Sequence, residues 1–193
     1  MQNKEAGIQR NNITFNREKT RKLATIGILS AISIILVAFV HFPLFPSASF
    51  LEYDPADIPI LIGTFVYGPV AGLMLTAIVS ILQGLLISPQ SGVIGVVMHI
   101  IATGSCALVA GVIYSRNKTK KTAVIALAAG SVTMTAAMVI MNMIFTPIFM
   151  GVPLEVVIPM LVPIIIPFNL FKALINALLT FILYKKISHI LRK

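Results

Sequence analysis

Residues 58–121 read IPILIGTFVYGPVAGLMLTAIVSILQGLLISPQSGVIGVVMHIIATGSCALVAGVIYSRNKTKK. The first 58 of these, Ile58 to Ser115, contain no Asp, Glu, Lys or Arg, and the next six hold four basic side chains. About a quarter of the residues in a soluble domain are charged, so an uncharged run of this length faces lipid or other parts of the same chain. A membrane-spanning helix needs about 20 apolar residues, which leaves room here for more than one crossing. Gly68-Pro69 and Ser88-Pro89 divide the run, because proline cannot continue a helix interior.

The rest of the chain has the same character. Of its 193 residues 58% are hydrophobic and 11% charged, and mean hydropathy is +0.97. One domain is the natural count at this length. The net charge of +9 is not that of a nucleic-acid binder, which spreads basic side chains over a surface with interleaved aromatics. Fourteen of the fifteen Lys and Arg fall in three clusters, Lys4 to Lys22, Arg116 to Lys121 and Lys185 to Lys193. That is the positive-inside pattern of a polytopic membrane protein. Cys106 is the only cysteine, which excludes an intrachain disulfide and a Cys-based metal site.

Residues 1–22 read as a basic cytoplasmic arm, and a cleaved signal peptide is disfavoured because no A-x-A-like site follows the first apolar run. The expected membrane domain, 23–190, is all-α with six helices at about 23–42, 54–68, 70–88, 92–114, 122–145 and 160–187. The second is short, and so is expected to be tilted or to span only partly. Asp54 reads as its N-cap, Pro55 as its first residue and Asp57 as a first-turn acid. An even number of helices puts both termini on one side, and the charge clusters make that side the cytoplasm of a multi-pass cell-membrane protein.

In lipid the informative residues are the expensive ones. Lys172 is the one charged residue inside an apolar segment, and an intramembrane Lys is a functional-site hypothesis by default. At 1.5 Å rise per residue it lies roughly 18 Å above the inner boundary. The same arithmetic puts Asn169, Gln83, His99 and Asn142 roughly 21–30 Å above theirs. Five polar side chains from four helices thus converge on the outer half of the bundle, predicting an outward-facing pocket. In the inner half Asn176 is the comparable residue. Each also has a plainer reading: headgroup contact for Lys172, interhelical glue for the Asn pair, satisfied bundle residues for His99 and Gln83.

A single fixed cation with amides, and no acid in the membrane, suits a neutral or weakly anionic ligand with carbonyl and imide edges. Phe50, Tyr53 and Phe145 could cover an aromatic ring or serve as interfacial aromatics. There is no P-loop and no H-E-x-x-H, and helix capping accounts for Asp54 and Asp57 better than catalysis does. No catalytic residue, resident cofactor or metal site is expected. Ala24, Gly27 and Ala31 give the first helix a small-xxx-small face, but Ala107/Gly111, Ala126/Gly130 and Ala173/Ala177 share that spacing.

LATIGILSAISIIL in the first helix, FLEYDPADIPILIGTFVYGPVAG in the first outer loop and second helix, and PFNLFKALINALL in the last resemble the substrate-binding S components of energy-coupling factor (ECF) transporters, most closely the riboflavin-specific ones. With Asn142 and TPIF, the resemblance spans residues 22–190. It implies a non-enzymatic, high-affinity riboflavin-binding subunit that works with a transmembrane T subunit and two ABC-type ATPases. It further implies that Asn142, Asn169 and Lys172 contact the flavin. Phe50, Leu51, Glu52 and Tyr53 would form the closing loop. The T subunit would dock on Gly27 and Ala31, where the family more commonly carries Ala at both. The alternatives are an S component for another vitamin and a self-sufficient secondary transporter.

Overall fold

A computed structural model describes the backbone of residues 2–192 and the side chains of 17–187 except Ser47. The expectation of a basic arm over 1–22 therefore falls mostly on side chains outside the described residues. Among the described residues, five helical stretches are long and apolar enough to cross a membrane. They lie within α1 (Gln2–Phe39), α3 (Pro69–Leu86), α4 (Gly92–Arg116), α5 (Lys120–Met150) and a final rod over 154–187.

The sixth helix, α2 (Asp57–Tyr67), has 11 residues and so reaches only about 16 Å at 1.5 Å per residue, half of a hydrocarbon core of about 30 Å. It ends at Gly68, whose φ of +91° suits only a residue without Cβ, and Pro69 then opens α3. Every residue from Asp57 to Val66 is buried, as expected for a helix apolar all round. It packs against α1, α3, α4 and α7, so α2 is the plug around which the long helices gather.

Small residues set the helix spacing. A Cβ on Gly111 of α4 would come within 2.8 Å of the Thr64 side chain and 2.9 Å of Pro69 Cα. On Gly130 of α5 it would meet Cys106 Sγ at 2.9 Å and the Cys106 carbonyl at 3.1 Å. At the end of the bundle carrying the Arg116–Lys121 loop, Phe65 stacks on Tyr114 at 4.1 Å, and Tyr184 sets its edge against both at 5.4 and 5.8 Å. Lys185 lies against Lys120 there, so two of the three basic clusters share one end.

Three local features differ from expectation. α5 runs through Pro147 to Met150 before Gly151 (φ +65°) ends it, because an interior proline forfeits one N–H bond and need not stop a helix for its last turn. In the final rod, α6 (Leu154–Met160) joins α7 (Ile166–Arg192) through a π-helical turn over Leu161–Ile165. This wider turn absorbs the bonds missing at Pro163 and Pro167. Between α1 and α2 lies a small antiparallel hairpin, β1 (Phe42–Pro43) with β2 (Glu52–Tyr53), pairing Phe42 with Tyr53 and Pro43 with Glu52. Its loop buries Ala48 and Leu51 against Val157, Ile165 and Phe168.

Candidate ligand-binding site

At the end of the bundle remote from the Arg116–Lys121 loop, the hairpin, α3, α4, α5 and α7 surround a cleft of about 980 Å³, counting the space at its mouth. Eight of the nine candidate residues line it: Phe50, Leu51 and Glu52 from the hairpin, Gln83 from α3, His99 from α4, Asn142 from α5, Asn169 and Lys172 from α7. Tyr53 does not. Its hydroxyl donates to Asn176 Oδ1 at 3.1 Å, so the ring belongs to the floor beneath the cleft and not to a lid. Met134, Met138, Phe149 and Phe168 supply apolar wall.

The floor is acidic as well as basic. Lys172 Nζ donates to Asp54 Oδ2 at 2.8 Å, and Gln83 Nε2 reaches the same oxygen at 3.3 Å. Asp54 Oδ1 accepts from the Ala56 N–H at 3.1 Å, an Asx-type turn in place of the expected N-cap. Asp57 Oδ1 accepts from the Thr103 hydroxyl at 2.7 Å and stands 3.4 Å from His99 Nε2, while Oδ2 accepts from Asn176 Nδ2 at 3.0 Å. Asn176 Nδ2 also donates to the Asp54 carbonyl at 3.1 Å. Asp54, Asp57 and Lys172 are 3%, 2% and 7% exposed.

Two expectations are thereby corrected. Lys172 is not a lone fixed cation, since a carboxylate is bound to it. Asn176 does not stand apart from the polar cluster but joins its two acids. Both corrections have one cause. Helix rise locates a residue along its own helix but says nothing of how deep the start of α2 sits, and packing draws that start, with Asp54 and Asp57, into the bundle.

The two amides are held rather than free. Asn142 Nδ2 donates to the Met138 carbonyl at 2.7 Å and its Oδ1 accepts from Thr146 at 2.8 Å; Asn169 Nδ2 donates to the Ile165 carbonyl at 2.8 Å. Gln83 Oε1 is buried with no hydrogen-bond partner, an acceptor whose desolvation is uncompensated. At the mouth His41 Nε2 lies 2.7 Å from Glu52 Oε2 and 3.5 Å from Ser88 Oγ. Sequence reasoning missed His41, Asp54, Ser80, Ser88 and Thr146 as lining residues. Ser80 and Thr146 carried a usable signal, lying three before Gln83 and four after Asn142 on the same helix faces. His41 and Ser88 lie at segment ends, where no period marks them. Among the described residues no group of three or more His, Cys, Asp or Glu is arranged to hold a metal ion. Ala24, Gly27 and Ala31 lie away from the cleft, exposed on the outer face of α1.

Residues 21–184 match the model of the family described as ECF transporter, substrate-specific component. The chain belongs to that family. It is a multi-pass membrane protein of the substrate-specific-component type. It is similar to the riboflavin transporter RibU of Streptococcus thermophilus, 34% identical over 132 residues, 68% of this chain and 62% of that one. To the riboflavin transporter FmnP of Bacillus subtilis it is 30% identical over 127 residues, 65% of this chain and 66% of that one. The chain thus spans just under two-thirds of the length of these relatives. A solved structure described as the S component of a bacterial ECF transporter superposes with a TM-score of 0.76 at 28% identity, covering 91% of this chain and 99% of that one.

Proposed function

We propose that this S component captures riboflavin from outside the cell and delivers it inward with a transmembrane T subunit and two ABC-type ATPases. The observation that carries the reading is the convergence of Asn142, Asn169, Lys172 and Gln83, from three helices, on one cleft with apolar walls. The isoalloxazine ring has a polar edge of carbonyls and an imide N–H. The amides offer donors and acceptors to such an edge and Lys172 offers donors, while Met134, Met138 and Phe168 suit the ring faces. Gln83 Oε1, buried without a donor, would accept from a ribityl hydroxyl. The names of the relatives point to the same ligand.

The basic loop Arg116–Lys121 belongs in the cytoplasm by the positive-inside rule, so the cleft at the other end opens outward and both termini are cytoplasmic. The exposed face of Ala24, Gly27 and Ala31 permits close approach of another helix and is where the T subunit would dock. Ser80 Oγ stands 3.0 Å from His99 Nδ1, and His99 Nε2 stands 3.4 Å from Asp57 Oδ1, but the Ser80 hydroxyl donates its proton to the Thr76 carbonyl at 2.6 Å and so is not poised as a nucleophile; the chain would act without enzymatic activity, resident cofactor or metal of its own. The lipid bilayer is its remaining partner.

The test is the absorbance spectrum of the purified, detergent-solubilised protein. Oxidised-flavin bands at one flavin per chain, resistant to washing, are expected. A colourless protein that fails to quench added riboflavin fluorescence would overturn the ligand, and competition among thiamine, biotin and folate would then identify another vitamin. Riboflavin uptake into liposomes holding this chain alone would favour a self-sufficient secondary transporter instead.

A further inference from the structure

The charged groups of the cleft come in matched pairs. Lys172 faces Asp54 at 2.8 Å, His41 faces Glu52 at 2.7 Å, and His99 faces Asp57 at 3.4 Å. With the carboxylates ionised, the site carries a charge between −2 and zero whichever imidazoles are protonated. It is never positive, although it contains the one lysine of the apolar segments. We infer that Asp54 is a specificity-determining residue: by neutralising Lys172 it makes the cleft select an uncharged ligand over the same ligand carrying a phosphate. This rests on the riboflavin reading and deepens it.

An uncharged ligand can accept hydrogen bonds from the ammonium protons that Asp54 leaves over, since a lysine has three donors, and the ion pair survives. A phosphate gains strongly from Lys172 only by drawing it away from Asp54, and breaking a buried pair leaves an uncompensated buried charge. A phosphate that stays clear of Lys172 still meets the unscreened acids, because charges interact over longer distances in a site of low dielectric than in water. Asp54 is well placed for this role. It is 3% exposed, lines the cleft, and is held by the Ala56 N–H and Gln83.

The experiment is to titrate riboflavin and riboflavin 5′-phosphate against the purified protein and its variants and to compare the ratio of the two Kd values. The wild-type protein should prefer riboflavin by at least about tenfold. Asp54→Asn keeps an oxygen for Ala56 but removes the charge, and should shift the ratio at least about tenfold toward the phosphate ester. Lys172→Met should shift it the other way, and the double variant should return to within about threefold of wild type, as coupled charges do. Should Asp54→Asn fail to fold, Lys172→Met and the double variant carry the same test with the sign reversed. Folded variants that all keep the wild-type ratio, or a wild-type protein that binds the phosphate ester as tightly as riboflavin, overturn the inference alone. A wild-type protein that binds neither flavin overturns the riboflavin reading and this inference with it.

Discussion

The small-xxx-small pairs of α1 and α5 look alike in sequence and do opposite things in the fold. Gly27 and Ala31 are exposed, and a Cβ built on Gly27 would have nothing within 4 Å. Ala126 and Gly130 are buried, and a Cβ on Gly130 would meet Cys106 side chain and backbone at 2.9 and 3.1 Å. Ala107 and Gly111 of α4 are likewise buried, Gly111 against Thr64 and Pro69. Small-residue spacing says that a helix can be approached closely; only the packed bundle says whether it has been. On α4 and α5 the approach is complete. On α1 the face is bare, beside exposed Ile28 and Ile35, which is where a partner helix in the same membrane has access.

That contrast can be broken by substitution. The largest effect should come from Gly130→Leu, where backbone stands in the way and overpacking should cost about 3 kcal/mol, seen as a lowered Tm in detergent. Gly111→Ala should cost about 2 kcal/mol on the same measurement, since Pro69 Cα cannot step aside as a side-chain tip would. Asn169→Leu, at the open end of the same bundle, should weaken riboflavin binding about tenfold, or 1.4 kcal/mol, with Tm little changed, read by fluorescence quenching. The smallest effect on stability should be that of Gly27→Leu, within about 0.5 kcal/mol and with riboflavin binding intact, yet with loss of co-purification with the T subunit. A drop in Tm for Gly27→Leu as large as that for Gly111→Ala would erase the contrast.

The cleft was legible in part, and the reasons are particular. Asn142, Gln83, Asn169, Lys172 and His99 lie on long helices that share one basic end or start at it, so rise per residue places them at similar heights, and all five line the cleft. Rise per residue gives no depth for an element too short to span. α2 spans 11 residues, and nothing in DPADIP states that its first turn is drawn under Lys172. Asp54 therefore read as a cap, Asn176 as an outlier and Tyr53 as part of a lid. The hairpin escaped because strands of two residues have no period to detect. Pro147 read as a stop because proline usually is one, whereas α5 carries it for a last turn.

Membrane residence and the number and rough limits of the helices follow from the chain's own pattern. Lipid offers backbone groups no partner and makes exposed charge costly, so each apolar run must form a helix and each basic cluster must lie outside the hydrocarbon, whatever its neighbours do. The pairings are a different matter. Lys172 meets Asp54 across 118 positions, and Asn176 meets Asp57 across 119. No local rule selects those partners. They are set by how deeply α2 is packed among α1, α3, α4 and α7, and packing depth is a property of all the facing side chains together.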